Sequence, residues 1–370
     1  MNIKNTIILF LLLSSFAFSD NDDNAIYLLY PGPNLVSFGI LNQEQNIQEF
    51  FSPIEQNIVS VISQGQIGFF NNNQWFGGLE TIDNLAGYWI IVDDISLLDV
   101  SGTYNNAPLY FLYPGANLIS YPYNTSQSVT NAISNYTYEN FYAIIGENQA
   151  ALFTDAGIFG SLTEFEPNKA YWFFMINANP FTYNQPNQFI SNNNSSNTLD
   201  DDIDNNYEQS VNQSVFFVEN AFLSGQNINF NSHISIYCNN TKVGGKAWIG
   251  NMTDLIAMGN DGYGYTDNYC EESQDILIKH TYNEMETEMN IIGNNLFSNN
   301  NISIISLSDV ELGDLNFDNN LNITDIVILI EHIIDINEIN NNHQLLLSDS
   351  NQDNMINVTD LILNLTLILE

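Results

Sequence analysis

Two twelve-residue stretches near the end of the chain place oxygen donors at nearly every second position. The first carries Asp314, Asn316, Asp318, Asn320, Asn322 and Asp325 at positions 1, 3, 5, 7, 9 and 12. The second begins 35 residues later and carries Asp349, Asn351, Asp353, Met355, Asn357 and Asp360 at the same positions. A hard cation such as Ca2+ takes six to eight oxygens. This spacing supplies them from side chains at positions 1, 3, 5 and 12, a main-chain carbonyl at 7, and often a water at 9. Position 7 therefore makes no demand on the side chain, and the carbonyls of Asn320 and Met355 serve equally. Position 6 has to turn left-handed, and Asn319 and Asn354 stand there, the residue type that tolerates this best after glycine. Position 8 is apolar in both loops (Leu321, Ile356), as befits a side chain closing onto a core. Position 12 is Asp, where a standard EF-hand has Glu. One Asp-x-Asn-x-Asp in so Asn-rich a chain can arise from composition; two complete loops in tandem predict two bound Ca2+ ions.

Each loop must be positioned by the segment on its C-terminal side. The apolar segments Ile326–Ile334 and Leu361–Leu369 are each long enough for a short helix. Gly313-Asp314 opening the first loop, Asp at both twelfth positions, and a loop–helix duplication without full entering helices together resemble a type I dockerin. The resemblance covers residues 311–370. It implies a small α-helical module ordered by two Ca2+ ions, docking onto a cohesin-like or cell-surface protein module. The family's recognition positions, loop positions 10 and 11, fall on Ile323-Thr324 and Val358-Thr359. The near-twofold symmetry implied by the duplication would permit docking in two orientations. The Asn-rich connector Glu338–His343 departs from the family. Metal-dependent folding is expected, because three acids per loop repel one another until a cation neutralises them.

The rest of the chain reads as mainly β. Leu29-Tyr30-Pro31-Gly32-Pro33-Asn34-Leu35-Val36-Ser37 returns as Leu112-Tyr113-Pro114-Gly115-Ala116-Asn117-Leu118-Ile119-Ser120, an offset of 83. Gly77, Leu79 and Tyr88-Trp89 recur as Gly160, Leu162 and Tyr171-Trp172 at the same offset. Two tandem β-rich repeats are therefore expected over 20–103 and 104–183, packed side by side. Within the first, Leu35–Phe38, Ile58–Ile62, Ile67–Phe70 and Tyr88–Val92 are strand-like runs bounded by turn residues. Ile47–Phe51 and Val129–Ser134 suit short helices. Residues 184–210 turn to Asn, Ser, Gln and Asp, too little apolar surface to offset ordering, and predict a disordered linker. From 211 to 307 the strand pattern returns, and a β-sandwich is expected with strands at Val215–Phe217, Ile234–Tyr237, Ala247–Ile249, Ile276–His280 and Ile302–Ile305.

Lys4, the apolar run Thr6–Leu13 and Ala17-Phe18-Ser19 read as a secretory signal over 1–19, giving a secreted or cell-surface protein. No later run is long and apolar enough for a membrane span. With 43 acids, five lysines and no arginine, the net charge of −38 excludes a nucleic-acid-binding surface and an anionic membrane as partners. Cys238 and Cys270, the two cysteines, either form one disulfide in an oxidising compartment or stay as buried thiols.

No catalytic constellation is recognisable: there is no Gly-x-Ser-x-Gly elbow, no His-Glu-x-x-His and no phosphate-binding glycine loop. His233, His280, His332 and His343 are scattered, with His332 expected on an exposed helix face. Trp89 and Trp172 hold equivalent repeat positions beside a tyrosine and suit a core; Trp75 is matched by Ile158; Trp248 is open to carbohydrate stacking. The expected function is a secreted, non-catalytic modular protein attached through its C-terminal module, within extracellular polysaccharide processing. The alternatives are a glycoside hydrolase carried by the same module, with an unrecognised carboxylate pair, and an adhesin binding polysaccharide through 211–307.

Overall fold

Strands make up 45% of the chain against 14% for helices, so the fold is mainly β. The computed structural model describes residues 23–104, 107–134, 136–137, 139–186, 207–230 and 232–369. The expected signal segment 1–19 and most of the expected linker lie outside the described residues. None of the described helices is long and apolar enough to cross a membrane.

Both repeats fold to one plan. In the first, a five-stranded antiparallel sheet runs in the order Gly32–Ser37, Gly87–Val92, Ile58–Ser63, Gln66–Asn71, Gln74–Gly77. In the second the order is Gly115–Ser120, Ala170–Met175, Phe141–Gly146, Gln149–Thr154, Gly157–Phe159. Register respects the offset: Leu35 lies opposite Trp89, and Leu118 opposite Trp172. Each repeat also closes on itself through a two-stranded sheet, Asp23–Leu29 with Ser96–Gly102 and Tyr110–Leu112 with Asn179–Phe181. The turns before Leu35 and Leu118 need a left-handed residue, supplied by Gly32 (φ +95°) and Gly115 (φ +92°). The short helix Ile47–Phe51 is capped by Asn46, and Val129–Ala132 by Ser128.

The repeats are more than neighbours. Val36 of the first pairs with Lys169 of the second, and Ile119 of the second pairs with Ala86 of the first. Ser37 N–H donates to the Asn168 carbonyl and Ser120 N–H to the Leu85 carbonyl, both at 2.9 Å. Each contact maps onto the other by the offset of 83, so the two copies form one pseudo-twofold body. Leu35, Trp89, Leu118 and Ala170 pack at its centre.

The third region differs from the expected two-sheet sandwich. Its strands form one hydrogen-bonded sheet in the order Gln226–Asn227, Gln213–Leu223, Asn301–Ser308, Met285–Gly293, Leu277–Tyr282, His233–Cys238, Thr241–Ala247, with Thr253–Met258 also paired to Gln213–Leu223. The long strand Met285–Gly293 belongs to both halves: Met285–Met289 pair with one neighbour and Asn290–Gly293 with the other. Gln213–Leu223 and Asn301–Ser308 run parallel, which is uncommon in such folds. The region begins before 211: Ser210 is buried and the Tyr207 hydroxyl donates to the Gly245 carbonyl. Ala247–Ile249 is not a strand of its own; the strand is Thr241–Ala247, whose Gly244 and Gly245 read as turn residues in sequence. Gly244 is required because a Cβ there would lie 2.1 Å from the Ile256 carbonyl oxygen. Cys238 and Cys270 are joined by a disulfide, closing a loop worth about 3–4 kcal/mol in the chain-entropy account. Trp248 is buried in this core, which removes it as an exposed stacking platform. Trp89 is buried likewise.

Three helices end the chain: Ile323–Ile333, Asn342–Ser348 and Val358–Leu369. The first and last pack against each other. The middle one overlaps the Asn-rich connector Glu338–His343 only at its first two residues; it buries His343, Leu347 and Ser348, with Leu345 and Leu346 packed against the same core.

Candidate functional site

The two twelve-residue loops adopt the same backbone. In the first, Phe317 and Asn319 have φ of +60° and +63°; in the second, Gln352 and Asn354 have +58° and +64°. These are positions 4 and 6, and non-glycine residues hold this conformation only where the surroundings enforce it. The carboxylates enforce it. Asp314 accepts from the N–H groups of Asp318 and Asn319 at 3.3 and 2.8 Å, and Asp349 accepts from those of Asp353 and Asn354 at 3.0 and 2.8 Å. Asp318 accepts from Asn320 N–H, and Asp353 from Met355 N–H, both at 2.9 Å. At position 12, Asp325 accepts from the N–H groups of Asn316 and Asn322, and Asp360 from those of Asn351 and Asn357. The same carboxylates start the helices: Asn322 and Asp325 form a capping box at Ile323–Ile333.

The position-3 amides, Asn316 and Asn351, lie beside the position-5 carboxylates at 3.0 Å in each loop. Gly313 (φ +89°) packs against the Asn364 amide, which a Cβ would meet at 2.8 Å.

Charge sets the problem this arrangement has to solve. Asp314, Asp325 and Asp360 are each at most 1% exposed. The chain has no arginine, and no lysine lies beyond Lys279. The three ion pairs of the described residues, from Lys169, Lys246 and Lys279, all lie elsewhere. Burial, with the neighbouring Asp325 and Asp318 charges adding to it, raises the Asp314 carboxyl above its ordinary range, against the opposing pull of two N–H bonds. Buried carboxylates without a cation are costly, several kcal/mol each. Among the described residues, no group of three or more His, Cys, Asp or Glu side chains could by itself hold a metal. Any cation held here would need a mixed donor set: carboxylates, the Asn316 and Asn351 amides, and main-chain carbonyls.

The four residues singled out as recognition positions stand at the first turns of the two helices, all exposed. They extend into longer stripes that sequence reasoning missed. Ile323, Val327, Ile330 and Ile334 are exposed along one helix; Val358, Ile362 and Leu369 are exposed along the other. Three positions correspond by the offset of 35, while Leu365, the counterpart of Ile330, is half-buried. The signal was present as i, i+4, i+7 apolar spacing, but spacing alone does not tell a buried face from an exposed one.

His343 is the second residue that sequence reasoning passed over. It is fully buried, stacked between Phe222 of the β region and Phe317 of the first loop, at centroid distances of 4.8 Å each. Its Nδ1 accepts from Gly225 N–H at 3.1 Å, which leaves Nε2 as the protonated nitrogen facing the Ser308 hydroxyl at 2.8 Å. Asn341 donates to the Gly225 carbonyl beside it. Position 4 of the first loop is thus clamped to the β region, whereas His332, half-buried, accepts from Ile339 N–H within its own module.

Burial lowers the His343 pKa to about 4, with Asp309 pulling the other way. A folded pKa below the unfolded value of about 6.5 means the unfolded chain binds the proton more readily. The contribution is complete above pH 6.5 and is lost as pH falls from there towards 4. His343→Gln is expected to cost about 2–4 kcal/mol, from two hydrogen bonds and the stacked ring. It should also remove part of the acid sensitivity. Thermal melts of wild type and variant between pH 4 and 7 isolate the imidazole from carboxylates titrating in the same range; parallel curves would refute the assignment.

No family model matches this chain, and comparison with curated proteins and solved structures gave no significant match.

Proposed function

We propose that residues 311–370 are a dockerin-type module of an exported protein, built to hold two Ca2+ ions and to attach the chain to a cohesin-like or cell-surface module. The observation that carries this reading is the duplication of the two loops. They share ligand positions, positive-φ positions and carboxylate-to-amide bonds, around buried acids that have no lysine or arginine to pair with. The ligands would be Asp314, Asn316, Asp318, the Asn320 carbonyl, Asn322 through water, and Asp325. The second set would be Asp349, Asn351, Asp353, the Met355 carbonyl, Asn357 and Asp360. Ca2+ would supply the positive charge that the protein lacks there. The chain's own contribution is to fix the loops and to aim two helices whose exposed apolar stripes suit docking onto another protein. Ile323, Thr324, Val358 and Thr359 lead those stripes. Extracellular polysaccharide processing is the setting this reading suggests.

Calorimetric titration of the full chain with Ca2+ tests it. Two sites are expected in the wild type, with one lost in Asp314→Ala and the other in Asp349→Ala. A wild type that takes up no Ca2+, or uptake unchanged in the double variant, would reduce the loops to capping motifs.

A further inference from the structure

The pseudo-twofold that joins the repeats builds one groove twice. The first groove is formed by Leu28, Tyr30 and Val36 of repeat one against Glu147, Glu166 and Lys169 of repeat two, and encloses about 380 Å3. The second is formed by Phe111, Tyr113 and Ile119 of repeat two against Gln64, Asp83 and Ala86 of repeat one, at about 590 Å3. Every one of these pairs corresponds by the offset of 83. Both volumes suit a small ligand.

Each groove offers an aromatic ring on a fixed mount. Tyr30 is 59% exposed and Tyr113 is 68% exposed. Asn34 accepts from Tyr30 N–H at 2.9 Å and donates to the Tyr30 carbonyl at 2.8 Å; Asn117 does the same for Tyr113 at the same distances. Large exposed rings held by a closed turn lose little entropy on binding. Beside them, Leu28 and Phe111 are exposed too, at alternate positions on strands whose inward residues fill the cores.

The polar wall selects by charge. In the first groove the one cation, Lys169, is already paired with Glu147 at 2.8 Å, and Glu166 stands nearby. In the second, Ala86 replaces Lys169 and Asp83 remains. Neither groove can neutralise a phosphate, sulfate or uronate. Strand addition by a peptide is closed off as well, because Val36–Ser37 and Ile119–Ser120 at the floor already pair with the opposite repeat. An aromatic face next to carboxylates that can accept hydroxyl hydrogens fits the apolar face and hydroxyl edge of an uncharged sugar ring.

We infer that the repeat pair is a bivalent binding body for neutral polysaccharide, with Tyr30 and Tyr113 as equivalent stacking platforms. The inference is independent of the calcium reading and places glycan binding in the repeats, not in 211–307. Two sites on one rigid body would raise avidity for a long chain without new contacts.

The test is calorimetry of the full chain with cellohexaose, xylohexaose, mannohexaose and laminarihexaose, and with oligogalacturonate as the anionic comparison. At least one neutral hexamer is expected to bind at two sites per chain. Tyr30→Ala and Tyr113→Ala should each leave one site, and the double variant none, with circular dichroism unchanged. Replacing both by Phe should retain binding. Chelating Ca2+ should leave the sugar sites in place, which separates this inference from the calcium reading. Failure of all four hexamers to bind more tightly than about 1 mM would overturn the proposal. So would preference for the uronate, or full binding by the double Ala variant.

Discussion

Chelation of Ca2+ from the full chain is expected to abolish most of its helical circular dichroism and to leave the β signal in place. The helices Ile323–Ile333 and Val358–Leu369 begin at position-10 residues, so the carboxylates that would hold the ions also hold the helix starts. The apolar core of this module is small: Val310, Leu315, Leu329, Ile339 and Leu347, joined by Ile292 from the β region. Against it stand buried Asp314, Asp325 and Asp360 with no cationic side chain. An ion present at a thousandfold excess over its dissociation constant contributes about 4 kcal/mol per site. Two such terms outweigh the margin by which a small module stays folded. The loss should be uneven. Loop one is clamped through Phe317 and His343, so Val358–Leu369 should melt first on chelation and Ile323–Ile333 after it. Unchanged ellipticity and an unchanged melt in excess EGTA would defeat both this expectation and the proposed function.

Asp254→Ala should be the most damaging single substitution in the β regions. Asp254 is fully buried and is the joint between the second repeat and the third region. It accepts from Ala150 N–H, Ser161 N–H and the Ser161 hydroxyl, each at 2.8 Å, and pairs with Lys246 at 2.8 Å. Lys246 also reaches the Ser161 hydroxyl and the Asn148 carbonyl. Removing the carboxylate leaves a lysine side chain only 16% exposed without its counter-charge, together with two amides that have lost their acceptor. Breaking a buried pair from one side costs about 3–5 kcal/mol. That corresponds to a fall in Tm on the order of 10 °C. Ser161→Ala, which removes only hydroxyl contacts, should cost about 1 kcal/mol. A calorimetric melt of Asp254→Ala within 1 °C of wild type would show that the joint carries little stability.

Elements with a local signal were legible in the sequence, and elements without one were not. The strands Ile58–Ser63 and Gly87–Val92 and the helix Ile47–Phe51 coincide with their sequence signals because β-branched or aromatic runs bounded by turn residues, and helix capping, are local properties. Thr241–Ala247, Thr253–Met258 and Met285–Gly293 were not legible as strands. The first contains the glycines that let two strands approach closely, and the last carries charges on its exposed face. The helix Asn342–Ser348 escaped because it is only seven residues long, and a run this short shows no helical period.

The sequence by itself determined the two loops, their twelve-residue Asp/Asn spacing, the helices on their C-terminal sides, the 83-residue duplication and the net charge of −38. All of these depend on residue type and spacing along the chain. Only the tertiary structure decided that the repeats interlock about a pseudo-twofold, that Tyr30 and Tyr113 face out while Trp89 and Trp248 face in, that Asp254 meets Ser161, and that His343 joins the first loop to the β region. Those are contacts between residues far apart along the chain. The same side chain is buried or exposed according to what the rest of the chain brings beside it.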